Sequence, residues 1–268
     1  RHYPGAAGPL GLLEAVTEAQ ARLIARWMGV GFIHGVMNTD NMSVSGETID
    51  YGPCAFMDEF RPDKVFSSID AGGRYAWNEQ PNIAVWNLAQ LASCLVPLMG
   101  NDDAAVAEAT RIVHSFPDTY QREWLTRFAA KLGISAPLAE DEALIRRLLD
   151  LMAAEGADFT RTFAGLSMGT ARNEFARPEA FDAWAADWQA RVSELRDART
   201  CLLRANPRRI PRNHRIEAAI EAAREGDFTP FQRLDSALRA PFDEREEWAD
   251  LALAPQPDEI VHRTFCGT

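Results

Sequence analysis

The stretch His34-Gly35-Val36-Met37-Asn38-Thr39-Asp40-Asn41 decides how the rest of this sequence is interpreted, together with Asp50-Tyr51-Gly52 a short distance further on. Both stretches concentrate Asp and Asn beside glycine. Such residues commonly do no more than form and cap turns. Their side-chain oxygens are also the atoms with which proteins hold Mg²⁺. The surrounding sequence has to distinguish these two interpretations.

The segment between the two stretches has the pattern of a β-hairpin. Short apolar pieces at Met42–Val44 and Thr48–Ile49 flank the turn-forming residues Ser45-Gly46-Glu47. Apolar runs separated by a glycine-containing turn predict two antiparallel strands. Asn41 would then begin one arm of the hairpin, and Asp50 would end the other.

The two stretches also match a pair of motifs from protein kinases, His-Arg-Asp-Leu-x-x-x-Asn and Asp-Phe-Gly. The spacing from His34 to Asn41 is the kinase spacing, and Asp50 falls where the kinase metal-binding aspartate lies. Phosphoryl and nucleotidyl transfer need a divalent cation to neutralise the triphosphate. We therefore predict that Asn41 and Asp50 bind Mg²⁺ or Mn²⁺ and that Asp50 thereby also contributes to ATP binding.

One position departs from the kinase pattern. Val36 occupies the place of the kinase catalytic aspartate, and a valine cannot accept a proton. Asp40 is the only carboxylate inside the loop, so we predict that it acts as the base or orients the acceptor hydroxyl. His34 is expected to hydrogen-bond the backbone of the loop rather than to act as an acid or base.

Outside this region the sequence predicts a mainly α-helical protein. Leu10–Met28 has one apolar helical face, and Tyr51–Gln80 has the composition of a long ordered loop. Asp118, Asp158 and Asn213 are predicted helix N-caps. Further helices are predicted at Ile83–Met99, Ala104–Ser115, Tyr120–Leu132, Glu140–Ala154, Phe159–Met168, Pro178–Arg204, His214–Arg224 and Pro230–Leu238.

Composition limits the possible partners of the chain. The 268 residues contain 28 Lys plus Arg against 39 Asp plus Glu, a formal net charge of −11, which argues against binding nucleic acid. No apolar run approaches the roughly 20 residues of a membrane span, so we expect no membrane partner. The arginines from Arg204 to Arg215 are expected to cap a helix or form solvated or ion-paired surface, although they could also meet ATP phosphates or an acidic protein.

Several longer motifs, in one order along the chain, resemble the selenoprotein O family of protein-kinase-like enzymes. The resemblance covers essentially the whole chain but only the C-terminal half of the family. The matching motifs are His34–Asn41, Thr48–Pro53, Gly73-Arg74-Tyr75, Gln80-Pro81 with Trp86-Asn87-Leu88, Asn206-Pro207 to Arg212-Asn213, Ala218–Asp227 and the terminal Cys266.

This resemblance implies a protein adenylyltransferase, which transfers AMP from ATP to Ser, Thr or Tyr hydroxyls of proteins. It assigns metal binding to Asn41 and Asp50 and the role of base to Asp40. The implied fold is the C-lobe of a kinase-like domain with a small β-hairpin. Residues 1–100 would form the catalytic-loop and metal-site part, and residues 101–268 a helical extension packed on the same lobe.

Three expectations follow from what the chain contains. Its only lysines, Lys64 and Lys131, are not placed to hold phosphates, and the kinase-like N-lobe would lie before residue 1, so we expect this chain alone to be nearly inactive. A phosphotransferase and a non-catalytic pseudokinase-type module remain alternatives. The sparse cysteines favour the bacterial-type cytoplasm, and a mitochondrial location stays open.

The resemblance also implies a redox or regulatory role for Cys266, because some members of the family carry selenocysteine there. Cys54 lies just beyond the metal-binding aspartate. A disulfide between Cys54 and Cys266 would lock the loop to the C-terminal tail. The alternative is that both are ordinary intracellular thiols.

Overall fold

The computed structural model describes residues 2–100 and 102–265, and these are mainly helical, as predicted. The sheet found in them consists of β1 (Phe32–Ile33) and β2 (Ala55–Phe56). The α-helices are α1 (Gly8–Gly29), α2 (Gln80–Leu95), α3 (Asp103–His114), α4 (Phe116–Lys131), α5 (Asp141–Glu155), α6 (Phe159–Met168), α7 (Pro178–Val192), α8 (Ala198–Ala205), α9 (Asn213–Arg224) and α10 (Thr229–Leu238).

Several helix boundaries differ from those predicted from the sequence. The single helix predicted over Pro178–Arg204 is divided into α7 and α8. Asp118 lies inside α4, because Pro117 already occupies the first turn of that helix. Asn213 is the first residue of α9 rather than its cap. The prediction for Asp158 is confirmed, since its carboxylate accepts a hydrogen bond of 2.8 Å from the backbone N–H of Arg161.

Helix α1 is the central support of the loop and hairpin that carry Asn41 and Asp50. Its buried face includes Leu13, Val16 and Ile24, at the spacings that an amphipathic helix predicts. This face packs against α4, α2 and α3. The same apolar core continues through buried residues of α5, α6 and α7 and reaches Leu202 in α8. The site therefore rests on a rigid, densely packed base.

A narrow antiparallel ribbon packs into this base, with Phe32, Ile33 and Ala55 buried in the main core. Phe32 pairs with Phe56 and Ile33 with Ala55, and a separate bridge joins Met42 to Thr48. The predicted turn at Gly46 is confirmed, since this residue has a φ of 73°. A Cβ atom built on Gly46 would lie only 2.7 Å from the Cβ of Ala19, so the turn requires glycine for its close approach to α1 as well.

The prediction that no apolar run approaches the length of a membrane span is wrong. The helical stretch Trp77–Met99 reaches the length and, at 1.3, the mean hydropathy of a possible membrane-spanning helix. The apolar run is interrupted by polar residues, which is why the sequence pattern alone did not reveal it. A third of this stretch is buried inside the protein, including Ile83, Ala84 and Leu88 in the main core.

Candidate active site

The loop after β1 holds Asp40 and Asn41 in a short 3₁₀ turn, Thr39–Asn41. Asp40 is exposed, as a group that meets an acceptor hydroxyl must be. The amide nitrogen of Asn41 donates a hydrogen bond of 3.0 Å to the carbonyl oxygen of Val36. This contact fixes the orientation of the amide and leaves the Oδ1 atom of Asn41 available as a ligand.

Asp50 has an unusual backbone conformation. Its φ of 53° is the one positive value found for a non-glycine residue among the described residues. Such conformations are uncommon outside Gly, Asn and Asp, and they cluster at functional sites. The side chain is exposed, and its Oδ1 atom accepts only a long hydrogen bond of 3.4 Å from the Gly52 N–H. The carboxylate is therefore little engaged by the protein itself.

The His34 side chain connects the loop to the arm that carries Asp50. The imidazole is completely buried, and its Nε2 atom lies 2.9 Å from the carbonyl oxygen of Ile49. A carbonyl can only accept, so Nε2 carries the proton. Burial lowers the pKa of His34, although the Ile49 carbonyl and Asp50 raise it. The prediction that His34 serves the backbone of the loop is confirmed.

Two buried amides of α2 hold the loop from the other side. The Oε1 atom of Gln80 accepts from the His34 backbone N–H, and its Nε2 atom donates to the Phe32 carbonyl, both at 3.0 Å. Asn87 donates to the Met37 carbonyl at 2.9 Å. Neither residue was predicted from the sequence to hold the loop. The sequence pattern that could have indicated this role is a polar side chain on the otherwise apolar face of a helix.

Helix α1 supports the hairpin arms directly. The indole N–H of Trp27 donates to the hydroxyl of Thr48 at 2.8 Å, and the Gln20 amide donates to the Ser43 carbonyl at 2.6 Å. Thr48 is two residues from Asp50, and Ser43 is two residues from Asn41. Both predicted metal ligands therefore lie on arms that are tied to the same helix.

The donor set fits a hard divalent cation. Asn41 and Asp50 offer an amide oxygen and a carboxylate, which are the ligand types that Mg²⁺ and Mn²⁺ prefer. Residues 2–100 and 102–265 contain no group of three or more His, Cys, Asp or Glu side chains that could hold a metal ion, at this site or at any other. The Asn41 and Asp50 pair would therefore need its remaining ligands from phosphate oxygens and water, as is usual for Mg²⁺ in nucleotide sites.

Both lysines of the chain lie against aromatic rings. Lys131 is buried against the rings of Phe159 and Phe163, with its Nζ atom 4.4 Å from the centroid of the latter. Lys64 lies over Phe66, 4.9 Å from the ring centroid. This arrangement agrees with the expectation that the chain provides no phosphate-binding lysine of its own.

Cys54 lies at the end of the segment that carries Asp50. Its thiol donates to the Tyr51 carbonyl at 3.3 Å, and burial raises the pKa of Cys54 to about 11. Thr264 contacts this segment, because its hydroxyl donates to the carbonyl of Pro53. Cys266 lies outside the described residues, so its proposed pairing with Cys54 stays a prediction.

The arginine cluster corrects an expectation about the surface. Arg212 is fully buried and forms ion pairs with Asp58 and with Asp158, the latter at 2.7 Å. Arg209 is also buried and donates to the backbone carbonyl of Ala240. Because these guanidinium groups are used inside the protein, they are not a surface for ATP phosphates or an acidic partner.

Fold and site together define a mainly helical protein whose small antiparallel ribbon presents an asparagine and an aspartate, oxygen donors suited to a divalent cation. The family model described as "Protein adenylyltransferase SelO" matches residues 10–239. That match covers most of the chain. The chain belongs to the SelO family.

Individual relatives agree with this assignment. A protein named "Protein nucleotidyltransferase YdiU" from Ruegeria pomeroyi is 57% identical over the whole chain, and one of the same name from Ruegeria sp. strain TM1040 is 55% identical. Another of this name, from Rhodopseudomonas palustris strain BisB18, is 50% identical. The chain spans 57% of the length of each Ruegeria protein.

Proposed function

We propose that this chain is the metal-binding part of a protein adenylyltransferase, which transfers AMP from ATP to Ser, Thr or Tyr hydroxyls of proteins. Its membership in the SelO family is the observation that carries the proposal. The name nucleotidyltransferase, borne by relatives that are 50–57% identical, supports the same reaction class. The ordered loop and hairpin, in kinase-like spacing, support placing this chain in the C-lobe of a kinase-like fold.

Three residues carry the chemistry in this proposal. Asn41 and Asp50 hold Mg²⁺ or Mn²⁺, which supplies charge neutralisation at the triphosphate when it is bound. The acceptor hydroxyl oxygen forms a bond to the α-phosphorus of ATP, and the bond from that phosphorus to the bridging oxygen breaks, which releases pyrophosphate. Asp40 accepts the hydroxyl proton. His34, Gln80 and Asn87 keep the loop in place but do not touch the reacting atoms.

A chimera tests the proposal in an active context. This chain replaces the matching part of the Ruegeria pomeroyi relative, with which it aligns from end to end. ATP labelled at the α-phosphate should label protein, and ATP labelled at the γ-phosphate should not. Labelling from the γ-phosphate alone would instead favour a phosphotransferase and contradict the proposal.

Site variants of the chimera assign the roles. Asn41→Ala removes a metal ligand and Asp50→Asn removes the negative charge of one, so each should lower AMP transfer at least about 100-fold. Asp40→Asn should lower the maximal rate with little effect on ATP binding. Glu47→Gln is a matched control, because Glu47 is an exposed carboxylate on the same hairpin, at its turn.

We also propose that the 268-residue chain alone transfers AMP poorly. The observation that favours this is the placement of Lys64 and Lys131 against aromatic rings. Calorimetric titration of the chain with Mg·ATP distinguishes a fragment that binds nucleotide from a non-catalytic module that does not. AMP transfer by the isolated chain at the rate of the chimera would contradict this proposal.

A further inference from the structure

Arg74 is the only lysine or arginine in residues 27–60 and 65–110, the two segments that contain the loop, the hairpin and α2. The same segments carry Asp40, Asp50 and other carboxylates. Despite these carboxylates, the exposed guanidinium group of Arg74 forms no ion pair with any described residue. It lies over two aromatic rings instead, 5.7 Å from the centroid of Tyr75 and 5.0 Å from that of Trp86.

Asp70, four residues before Arg74, is used by the backbone of the loop. One of its carboxylate oxygens accepts a hydrogen bond from the Arg74 N–H and the other from the Tyr75 N–H, both at 2.8 Å. These bonds fix the backbone at Arg74 but do not neutralise its side chain. The five N–H donors of the guanidinium group have no acceptor in the described part of the chain, so they are available to a ligand.

The ring of Tyr75 connects Arg74 to the loop that carries Asp40. The Tyr75 hydroxyl donates to the Oδ1 atom of Asn38 at 2.8 Å, and the Asn38 carbonyl accepts from the Asn41 N–H at 3.0 Å. Arg74 is therefore held close to the 3₁₀ turn of Asp40 and Asn41. Contact with two rings also restricts the arginine side chain, so less conformational entropy remains to be lost when a ligand binds.

The ligand that fits a single free guanidinium group is a carboxylate. The planar N–H edge of arginine matches the two oxygens of a carboxylate, whereas phosphorylated peptides are bound by clusters of arginines. Residues 65–110 contain no second lysine or arginine. In the proposed function the metal ion neutralises the triphosphate, and Asp40 meets the acceptor hydroxyl. A carboxylate at Arg74 therefore fits the acceptor protein better than the nucleotide.

We propose that Arg74 selects acceptor proteins by binding an Asp or Glu side chain that lies close in sequence to the modified hydroxyl. Trp86 is 42% exposed and offers an apolar surface beside this ion pair. Aromatic and arginine side chains are the residues that contribute most often to binding energy in protein interfaces. The role in acceptor selection rests on the proposed function, whereas binding of an acidic peptide at Arg74 does not.

Two nine-residue peptides test the binding. One has Ser-Thr-Tyr at its centre and three glutamates on each side, which places carboxylates within about 10 Å of every type of acceptor hydroxyl. The other has glutamines in place of the glutamates. Nitrogen-15 NMR of the 268-residue chain follows the Nε–H signal of Arg74, which is identified by its absence from Arg74→Gln.

The glutamate peptide should bind about fivefold more tightly than the glutamine peptide, as judged from the Arg74 signal. The formal charge of −11 on the chain by itself favours the glutamine peptide, so this preference requires a local cation. Equal binding of the two peptides, tighter binding of the glutamine peptide, or an Arg74 signal that neither peptide shifts would overturn the proposal.

Variants of the chimera connect this binding with AMP transfer. The value of kcat/KM should be about fivefold higher for the glutamate peptide than for the glutamine peptide. Arg74→Gln should abolish the preference, and Arg74→Lys should keep only part of it, since lysine retains the charge but not the planar pair of donors. Arg61→Gln is the matched control and should keep the full preference, because Arg61 is an exposed arginine of the same long loop that already pairs with Asp63.

The KM for ATP distinguishes the acceptor from the nucleotide as the ligand of Arg74. Arg74→Gln should leave this KM within about twofold of the value for the unmodified chimera. A larger rise in the KM for ATP, a peptide preference that persists in Arg74→Gln, or an equal loss of preference in Arg61→Gln would overturn the proposal. Absence of AMP transfer to any acceptor would contradict the proposed function instead, and the NMR comparison would still decide whether Arg74 binds an acidic peptide.

Discussion

The Nε2 atom of His34 donates a hydrogen bond of 2.9 Å to the carbonyl oxygen of Ile49. This contact joins the start of the His34–Asn41 loop to the residue before Asp50. The imidazole is completely buried, and its neighbours on the other side are the rings of Trp27 and Phe32. The position of the proposed metal-binding aspartate thus depends on a neutral histidine that never meets the substrate.

Replacing this histidine should change how stability depends on pH. Because burial lowers the pKa of His34, the unfolded chain takes up the proton first as the pH falls. The stability that neutral His34 provides is present above about pH 6.5 and is lost as the pH falls toward the lower folded-state pKa. His34→Phe should cost about 1 kcal/mol at pH 7.5 and less at pH 5.5.

Urea unfolding at the two pH values measures this difference. His262→Phe is the control, because it replaces a histidine that is exposed. An equal loss at pH 5.5 and pH 7.5 for His34→Phe would contradict the assignment of a buried neutral imidazole.

Substitutions at Asp50 should affect the stability and the activity of the protein differently. Its positive φ is tolerated by glycine but strained for a β-branched residue. Asp50→Gly should therefore leave the free energy of unfolding within about 0.5 kcal/mol of wild type, whereas Asp50→Val should lower it by about 1–2 kcal/mol. Both variants should abolish AMP transfer in the chimera, since both remove the carboxylate. An active Asp50→Gly chimera would exclude Asp50 as a metal ligand.

Replacing Arg212 should lower the free energy of unfolding strongly, because it leaves carboxylates without their partner. Arg212→Met leaves Asp58 and Asp158 without their ion-pair partner, at a cost of about 3–5 kcal/mol. Burial already raises the pKa of Asp58 in the presence of Arg212. A carboxyl with a raised folded-state pKa costs stability as the pH rises through that pKa, so the defect should shrink at pH 4.5.

The control for this experiment is an exposed ion pair. Arg239 pairs with Asp235 on the surface of α10, and Arg239→Met should change the free energy of unfolding little at either pH, because an exposed ion pair is screened by water. A similar small effect for Arg212→Met would show that the buried pair does not stabilise the fold.

Local patterns predicted several single features of the loops and helix ends correctly. The turn at Gly46, the bonding role of His34 and the cap at Asp158 each depend on residues within a short segment, and the structure confirms all three. The predicted strands at Met42–Val44 and Thr48–Ile49 are reduced to the single Met42 to Thr48 bridge, and the sheet forms instead from Phe32–Ile33 and Ala55–Phe56. Short-range chemistry of this kind is visible in a sequence because the partners are neighbours in it.

Features that depend on distant partners were not predictable. Leu195 continues the apolar pattern of α7, so nothing local indicates the break between α7 and α8. That break follows from tertiary contacts, because α8 packs on α4 and α6. Arg212 was expected at the surface because its acidic partners, Asp58 and Asp158, are far away in sequence.

A disulfide between Cys54 and Cys266 is expected to form only under oxidising conditions. Thr264 is held beside Pro53, and its backbone pairs with Phe66 and Ser68, which keeps this part of the tail next to Cys54. Burial raises the pKa of Cys54 to about 11, so its thiolate is scarce at pH 7. Iodoacetamide should therefore modify Cys54 more slowly than the exposed Cys94.

Peptide mapping without reductant tests the pairing itself. After mild oxidation, a peptide that joins Cys54 to Cys266 should appear in the wild type and be absent from Cys54→Ser. Mapping that finds both cysteines free under every oxidising condition would contradict the redox hypothesis.

Lys131 should reduce the stability of the protein at neutral pH. It is buried against Phe159 and Phe163, and burial lowers its pKa to about 7. The folded protein therefore releases a proton that the unfolded chain keeps up to about pH 10.5. By linkage, wild-type stability should gain a few kcal/mol between about pH 7 and pH 10.5 through this residue, because the cost of burying the charge disappears.

Replacement by methionine removes that dependence. Lys131→Met keeps an unbranched side chain between the two rings, so it should be more stable than wild type at pH 7, and its advantage should shrink by pH 9.5. Urea unfolding of both proteins at the two pH values gives the difference, and Lys64→Met measures the effect of losing a lysine that is only partly buried. If the advantage of Lys131→Met is the same at both pH values, the buried amine does not titrate in this range, because a proton released on folding must appear as a pH-dependent difference.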